Sequence, residues 1–211
     1  MTKDDAVRQK WSLFEAEAAY ANSIFRSAIG DSAGCIRALE RAIEIKPTYA
    51  PAVLSMGSVE YQRNRKVTGR KLLLSLVAMP DDAADIAAII DKAGDFLIGI
   101  REYADGLELY RAAARRFPEV AVMHQGRGCC AGHMGEREEA VSASRRALEL
   151  EPDNQRFVND LGWSLAQSGA LQEALVVLEC AVAMDPADEL ARENLRLCNL
   201  KSAKRPRRKN A

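Results

Sequence analysis

Residues Gln155–Asp188 read QRFVNDLGWSLAQSGALQEALVVLECAVAMDPAD. Two amphipathic segments meet at Ser168-Gly169. In the first, Val158, Leu161, Gly162 and Leu165 fall on one helical face at i, i+3, i+4 and i+7. In the second, Ala174, Leu178 and Ala181 repeat the pattern, and Pro186 then stops the helix because it has no backbone donor. Gly162 and Ala174 are small where two helices of a hairpin approach. Ala181 is small where the next helix docks. A lone hairpin leaves an apolar face bare, so the pattern predicts stacked copies.

Working outward, the copies are there. Pro47, Pro80, Pro118, Pro152 and Pro186 are spaced by 33, 38, 34 and 34 residues. The unit 121–154 carries Gly128, Gly135, Ala140, Ala147 and Pro152 at matching offsets, and 87–120 carries Gly94, Gly106, Ala113 and Pro118. A period near 34 with these slots resembles the tetratricopeptide repeat family, over about residues 16–188. The resemblance implies an all-α, right-handed superhelix, an α-solenoid of about five helical hairpins. It also implies a concave groove lined by the first helix of each hairpin, and a non-catalytic role in binding other proteins.

The departures organise the chain. Residues 1–15 read as an extension of the first helix, and 16–80 as two irregular repeats in which Asn22, Ser23, Arg26 and Glu60 occupy slots meant for apolar or small residues. The turn Gln62-Arg63-Asn64-Arg65-Lys66 is unusually basic. An irregular joint is expected at 81–86, regular repeats at 87–188, a capping helix at 189–200 and a disordered basic tail at 201–211. In the fourth unit Arg127 and Ser144 replace apolar residues.

The 211 residues carry 30 basic and 30 acidic side chains, but six of the basic ones lie in the tail, from Lys201 to Lys209. The body is therefore mildly acidic. Lys-Arg-Pro-Arg-Arg-Lys at 204–209 has no interleaved aromatic for base stacking, so nucleic acid is not an expected partner. Nothing approaches the roughly 18–20 apolar residues of a membrane span, and Met1-Thr2-Lys3-Asp4-Asp5 leads into no apolar signal segment. With five cysteines, an odd number, the reading is reduced thiols in a cytoplasmic protein, or a nuclear one through the tail in a eukaryote.

The family's groove slots fall at offsets 5, 9 and 13 of each unit, one face of the first helix. They hold Asp91, Asp95 and Gly99 in the third unit, Gln125, Cys129 and His133 in the fourth, and Asn159, Trp163 and Gln167 in the fifth. Trp163 reads as a peptide anchor or as packing for the capping helix. Gln125 and Asn159 read as hydrogen-bonding a ligand backbone or as a solvated face. The signature residues Gly94, Gly128, Ala140, Ala147, Leu161, Gly162, Ala174, Ala181, Pro118, Pro152 and Pro186 read as structural.

Slots that some members use to clamp a chaperone's C-terminal carboxylate hold Tyr20, Ile24, Ser55, Ala88 and Lys92 here. Only one is basic, which argues against that ligand. Cys129 and His133 share a face at i, i+4, but a structural zinc site wants four ligands, so no metal, cofactor or catalytic residue is expected. Acid pairs such as Glu138-Glu139 read as solvated. The expected function is an adaptor or scaffold with a protein or peptide partner in its groove, self-association also being open to it. One alternative is a chaperone for a secreted or assembling substrate. Another is a regulatory thiol or metal-binding subunit built on Cys129, Cys130 and His133.

Overall fold

A computed structural model describes residues 3–80 and 85–204. Among them the regular structure is helical throughout. The helices are α1 (Lys3–Ala28), α2 (Ser32–Ile45), α3 (Ala50–Gln62), α4 (Lys66–Ser75), α5 (Ile86–Gly99), α6 (Tyr103–Arg116), α7 (Ala121–Met134), α8 (Arg137–Leu150), α9 (Gln155–Ser168), α10 (Leu171–Met184) and α11 (Glu189–Lys204), with a 3₁₀ turn at Leu76–Ala78.

One turn is used five times. The helices α1, α3, α5, α7 and α9 each end on a residue with left-handed backbone: Gly30, Asn64, Arg101, Gly135 and Gly169. The next residue then reaches back to a carbonyl five positions earlier, Asp31 to Arg26, Arg65 to Glu60, Glu102 to Leu97, Glu136 to Ala131 and Ala170 to Leu165, at 2.8–3.0 Å. This satisfies carbonyls that a helix end leaves bare and turns the chain back. The intervening helices stop at a second fixed point. The N–H of Lys46, Phe117, Glu151 and Asp185 donates to Ala42, Ala113, Ala147 and Ala181, and a proline follows each time. In the second repeat α4 stops early, at Ser75, and the 3₁₀ turn carries the chain to Met79 and Pro80.

The chain divides into two compact units, 1–96 and 97–211. The division lies inside α5, not at the joint expected around 81–86. The reason is that the body of α5 belongs with what precedes it: the Phe96 ring sits edge-on to Tyr61, centroids 5.9 Å apart. Of the expected joint, residues 81–84 lie outside the described residues.

In the first unit α1 packs on α2, α2 on α3 and α3 on α4. Leu39, Ala42 and Ala52 form the centre of one cluster, with Tyr20, Cys35 and Tyr49 around it. The residues that broke the pattern have local partners. Ser23 is buried and donates to the Tyr20 carbonyl at 2.6 Å. Arg26 binds Asp31 at 2.9 Å, and Asp31 in turn caps α2 by accepting from Gly34 N–H at 2.8 Å. The Glu60 side chain is only 4% exposed, held by Arg63 at 2.8 Å and Arg65 at 3.7 Å. The misplaced acid and the basic turn therefore account for each other. Helices α3 and α4 meet glycine to glycine: a Cβ on Gly69 would stand 2.9 Å from the Gly57 carbonyl oxygen and 2.6 Å from the Tyr61 ring.

In the second unit α6 packs on α7, and each helix from α7 to α11 packs on the next. Leu161, Leu165, Ala174, Leu178 and Cys198 centre one core cluster, and Ala181 packs with Val158 and Ala191 of the flanking helices. Gly162 lets α9 approach α10 at Leu178, where a Cβ would come within 2.6 Å of the leucine Cγ.

Polar contacts here recur at repeat spacing. Arg111 binds Glu139 (3.0 Å), and Arg145, 34 residues on, binds Glu173. Arg127 joins the first pair at 2.6 Å, so Glu139 is not the solvated acid the sequence suggested. The two guanidinium groups, Arg111 foremost, hold its carboxyl down at about 2. Ser144, the other substitution in that unit, bonds Ser164 at 3.0 Å in the interior.

The cap is longer than expected. α11 runs on to Lys204 rather than ending near 200. The Lys201 ammonium lies over the Trp163 ring, 4.8 Å from its centroid, which ties the last turns down. The rest of the basic tail, 205–211, lies outside the described residues.

Candidate functional site

Two successive first helices, α7 and α9, present one face each to a cleft of about 80 Å³ in the second unit. α7 supplies Cys129 and His133, α9 supplies Asp160, Trp163 and Gln167, and Arg137 comes from the start of α8. Gly128 and Ala140 keep the floor low. A Cβ on Gly128 would lie 2.8 Å from the Ser144 hydroxyl and 3.3 Å from the Ala140 carbonyl.

Four of the predicted groove residues are thus brought together: Cys129, His133, Trp163 and Gln167. His133 is exposed, and its ring stacks on Tyr103 with centroids 3.9 Å apart. Desolvation, then the charge of Arg101, lowers its pKa below the ordinary histidine value. Trp163 is half-buried: one face carries Lys201 of the capping helix, and the ring also walls the cleft. Of the two readings of this residue, the contact with the capping helix is present. Gln167 is exposed at the rim and Cys129 is half-buried.

Gln125 and Asn159 are placed differently from the expectation. Asn159 is 2% exposed and accepts from Asn194 of α11 at 3.1 Å. Gln125, buried as well, donates to Asp160 at 2.8 Å. The two contacts are the same contact one repeat apart: offset 5 of one first helix bonds the next first helix, 35 residues away. These amides are consumed between repeats, because a polar group this deep must be paired, and they do not face a ligand. Asp91 and Asp95 belong to the first unit, on α5, half-buried and exposed respectively.

Arg137 and Asp160 were missed by the slot reading. Asp160 follows slot 5 directly, and its carboxyl is raised by desolvation, with the Gln125 amide and Arg156 acting against that rise. Arg137 opens a second helix, where the slot pattern assigns no lining role. The cleft thus combines an aromatic wall, an imidazole, a cation and a half-buried acid.

Among the described residues no three His, Cys, Asp or Glu side chains gather closely enough to share a metal ion. Cys130 is fully buried and Cys129 half-buried. Among the same residues no helix is long and apolar enough to cross a membrane.

A family model for the tetratricopeptide repeat matches residues 121–154, the unit that supplies α7 and α8. Residues 121–154 are a tetratricopeptide repeat. Protein FlbA of Caulobacter vibrioides is 23% identical to the chain over 186 residues, covering 86% of this chain but 29% of FlbA. The chain thus spans less than a third of that relative's length. Among solved structures, a tetratricopeptide repeat protein from Parabacteroides merdae superposes with a TM-score of 0.65 at 14% identity, over 90% of this chain and 74% of that one. YrrB, a repeat protein with an unusual peptide-binding site, gives 0.59 at 16% identity, over 92% and 97%. These likenesses show the fold: an all-α solenoid of helical hairpins.

Proposed function

We propose that the chain is a non-catalytic adaptor that holds a partner peptide or helix in the α7–α8–α9 cleft. The observation that supports this reading is the convergence of Cys129, His133, Trp163 and Gln167, from two successive repeats, on one concave site with Arg137 and Asp160. The peptide-binding site named for YrrB supports it at the level of the fold. Trp163 supplies apolar area with a fixed ring, the kind of side chain that dominates binding energies. Gln167 and Arg137 supply donors at the rim for carbonyl or carboxylate groups of the partner.

The test compares proteins captured by wild type and by Trp163→Ala/Gln167→Ala, with circular dichroism verifying the fold. Loss of a partner, or at least about tenfold weaker binding to it, is the expected outcome. Equal capture with equal affinity removes the cleft from the function.

A further inference from the structure

Helix α1 carries large side chains on two sides. The side it packs inward has Ala16 and Ser23 buried, with Ala19 and Tyr20 partly so. Three large apolar residues point the other way: Trp11, Phe14 and Phe25 are 63%, 62% and 60% exposed. Along the helix these three alternate with exposed alanines in the order Trp11, Phe14, Ala18, Ala21, Phe25, Ala28. The steps are three and four residues in strict alternation, the spacing of the seam between two helices that coil around each other. At 100° per residue, this stripe lies on the opposite side of α1 from Ala16 and Ser23. Ile29, also exposed, continues the stripe past the helix end. A helix apolar on two opposite sides is stable when both are covered, and the inward side accounts for one.

We infer that the outward face of α1 pairs with the same face of a second copy of this chain, the two helices antiparallel about a two-fold axis. The seam is self-complementary in that direction only. With the axis between residues 19 and 20, Trp11 meets Ala28, Phe14 meets Phe25 and Ala18 meets Ala21, so bulky and small layers interlock and alanines sit at the crossing point. A parallel pair would instead stack Trp11 on Trp11 and leave Ala28 facing Ala28. The area is of the right order. Three aromatics of roughly 150–250 Å² each, some three-fifths exposed, offer about 300–400 Å² per copy. With Ile29 and the flanking stems the pair comes close to the roughly 1,000 Å² total that a specific interface needs. A patch of that size is also large for a surface left to water.

Sedimentation velocity on the full chain between about 1 and 100 µM is the first measurement, bracketing a micromolar constant. The expected species has twice the 23.2 kDa chain mass. Phe14→Glu/Phe25→Glu, both on the exposed face, is expected to weaken dimerisation at least about 100-fold while the helical spectrum and melting are kept.

Orientation is read by disulfide formation, with the wild-type chain setting the background from its own cysteines. Trp11→Cys protein mixed with Ala28→Cys protein is expected to cross-link faster than either alone. A single-chain mass up to 100 µM overturns the inference. So does a dimer that survives the folded double-Glu variant, and so does faster cross-linking of Ala28→Cys with itself, which would mean parallel helices. Should the charged variant fail to fold, the cross-linking pattern decides alone.

Discussion

The two units handle polar residues in opposite ways. In the second, a polar group reaches one repeat along the chain: Gln125 to Asp160 and Asn194 to Asn159 over 35 residues, Arg111 to Glu139 and Arg145 to Glu173 over 28. In the first, Tyr20 also reaches Ser55 across a repeat, but charge is settled locally, the buried Glu60 with Arg63 and Arg65, and the part-exposed Asp31 with Arg26. Repeat-spaced pairing makes each hairpin a template for the next and keeps the sequence periodic. Local pairing lets a unit lose the periodic residue at one slot and repair the loss a few residues away. Irregular sequence in the first unit is thus compensated irregularity, and the same turn and hairpin survive it.

The sharpest way to break this comparison is to remove the repair and leave the defect. Arg63→Ala/Arg65→Ala strands the Glu60 carboxylate in the interior and is expected to cost about 3 kcal/mol in urea unfolding. Glu60→Leu, which removes defect and need together, should come within about 1 kcal/mol of wild type. If both variants lose the same amount, compensation is the wrong description. A smaller effect comes from the glycine contacts. Gly69→Ala pushes a Cβ against the Gly57 backbone oxygen and the Tyr61 ring, at about 2 kcal/mol. Gly162→Ala meets mainly the branched end of Leu178, which yields more easily, so about half that loss is expected. Hydrogen exchange by peptide would place the first loss in 1–96 and the second in 97–211.

What was readable follows from the same contrast. The hairpins, their turns and their ends could be read because Gly135, Gly169, Ala147, Ala181 and the prolines each do one backbone job at a fixed offset. The cleft was half readable. Cys129, His133, Trp163 and Gln167 line it, as the slot spacing implied, but Asn159 and Gln125 do not. A slot states which way a side chain starts out and not whether a neighbour has already bonded it. The clue was present, since Asp160 and Asn194 stand 35 residues beyond Gln125 and Asn159. The aromatic stripe of α1 went unread because the repeat pattern asks only about the inward face. Glu139 was misjudged because its partners, Arg111 and Arg127, are 28 and 12 residues away.

Glu139 gives the pH test of repeat-spaced pairing. Its carboxyl titrates near 2 in the folded protein against an ordinary 4.5. Between those values the unfolded chain binds the extra proton, so the stabilisation is complete above about pH 5 and is lost as pH falls toward 2. Arg111 and Arg127 are partly exposed, and solvent screening reduces the effect. Glu139→Gln is expected to cost about 1–2 kcal/mol at pH 7 and almost nothing at pH 2.5. A difference independent of pH would mean that the pair contributes packing and no charge.

The mildest change goes the other way and improves the molecule. Five helices end on a left-handed residue, and three of the five are glycine, which adopts that backbone without steric cost. Asn64 tolerates it through its short polar side chain. Arg101, at φ 63°, has neither excuse, since its Cβ crowds the following carbonyl. Arg101→Gly should therefore stabilise the second unit by up to about 1 kcal/mol, the relief of strain outweighing the extra freedom glycine gives the unfolded chain. Arg101 also lowers the His133 pKa through its charge, so the same variant should let that imidazole titrate at a higher pH, visible in its proton resonances. A melting temperature that falls, with His133 unmoved, would show that the arginine is held in this turn by contacts that outweigh its backbone strain.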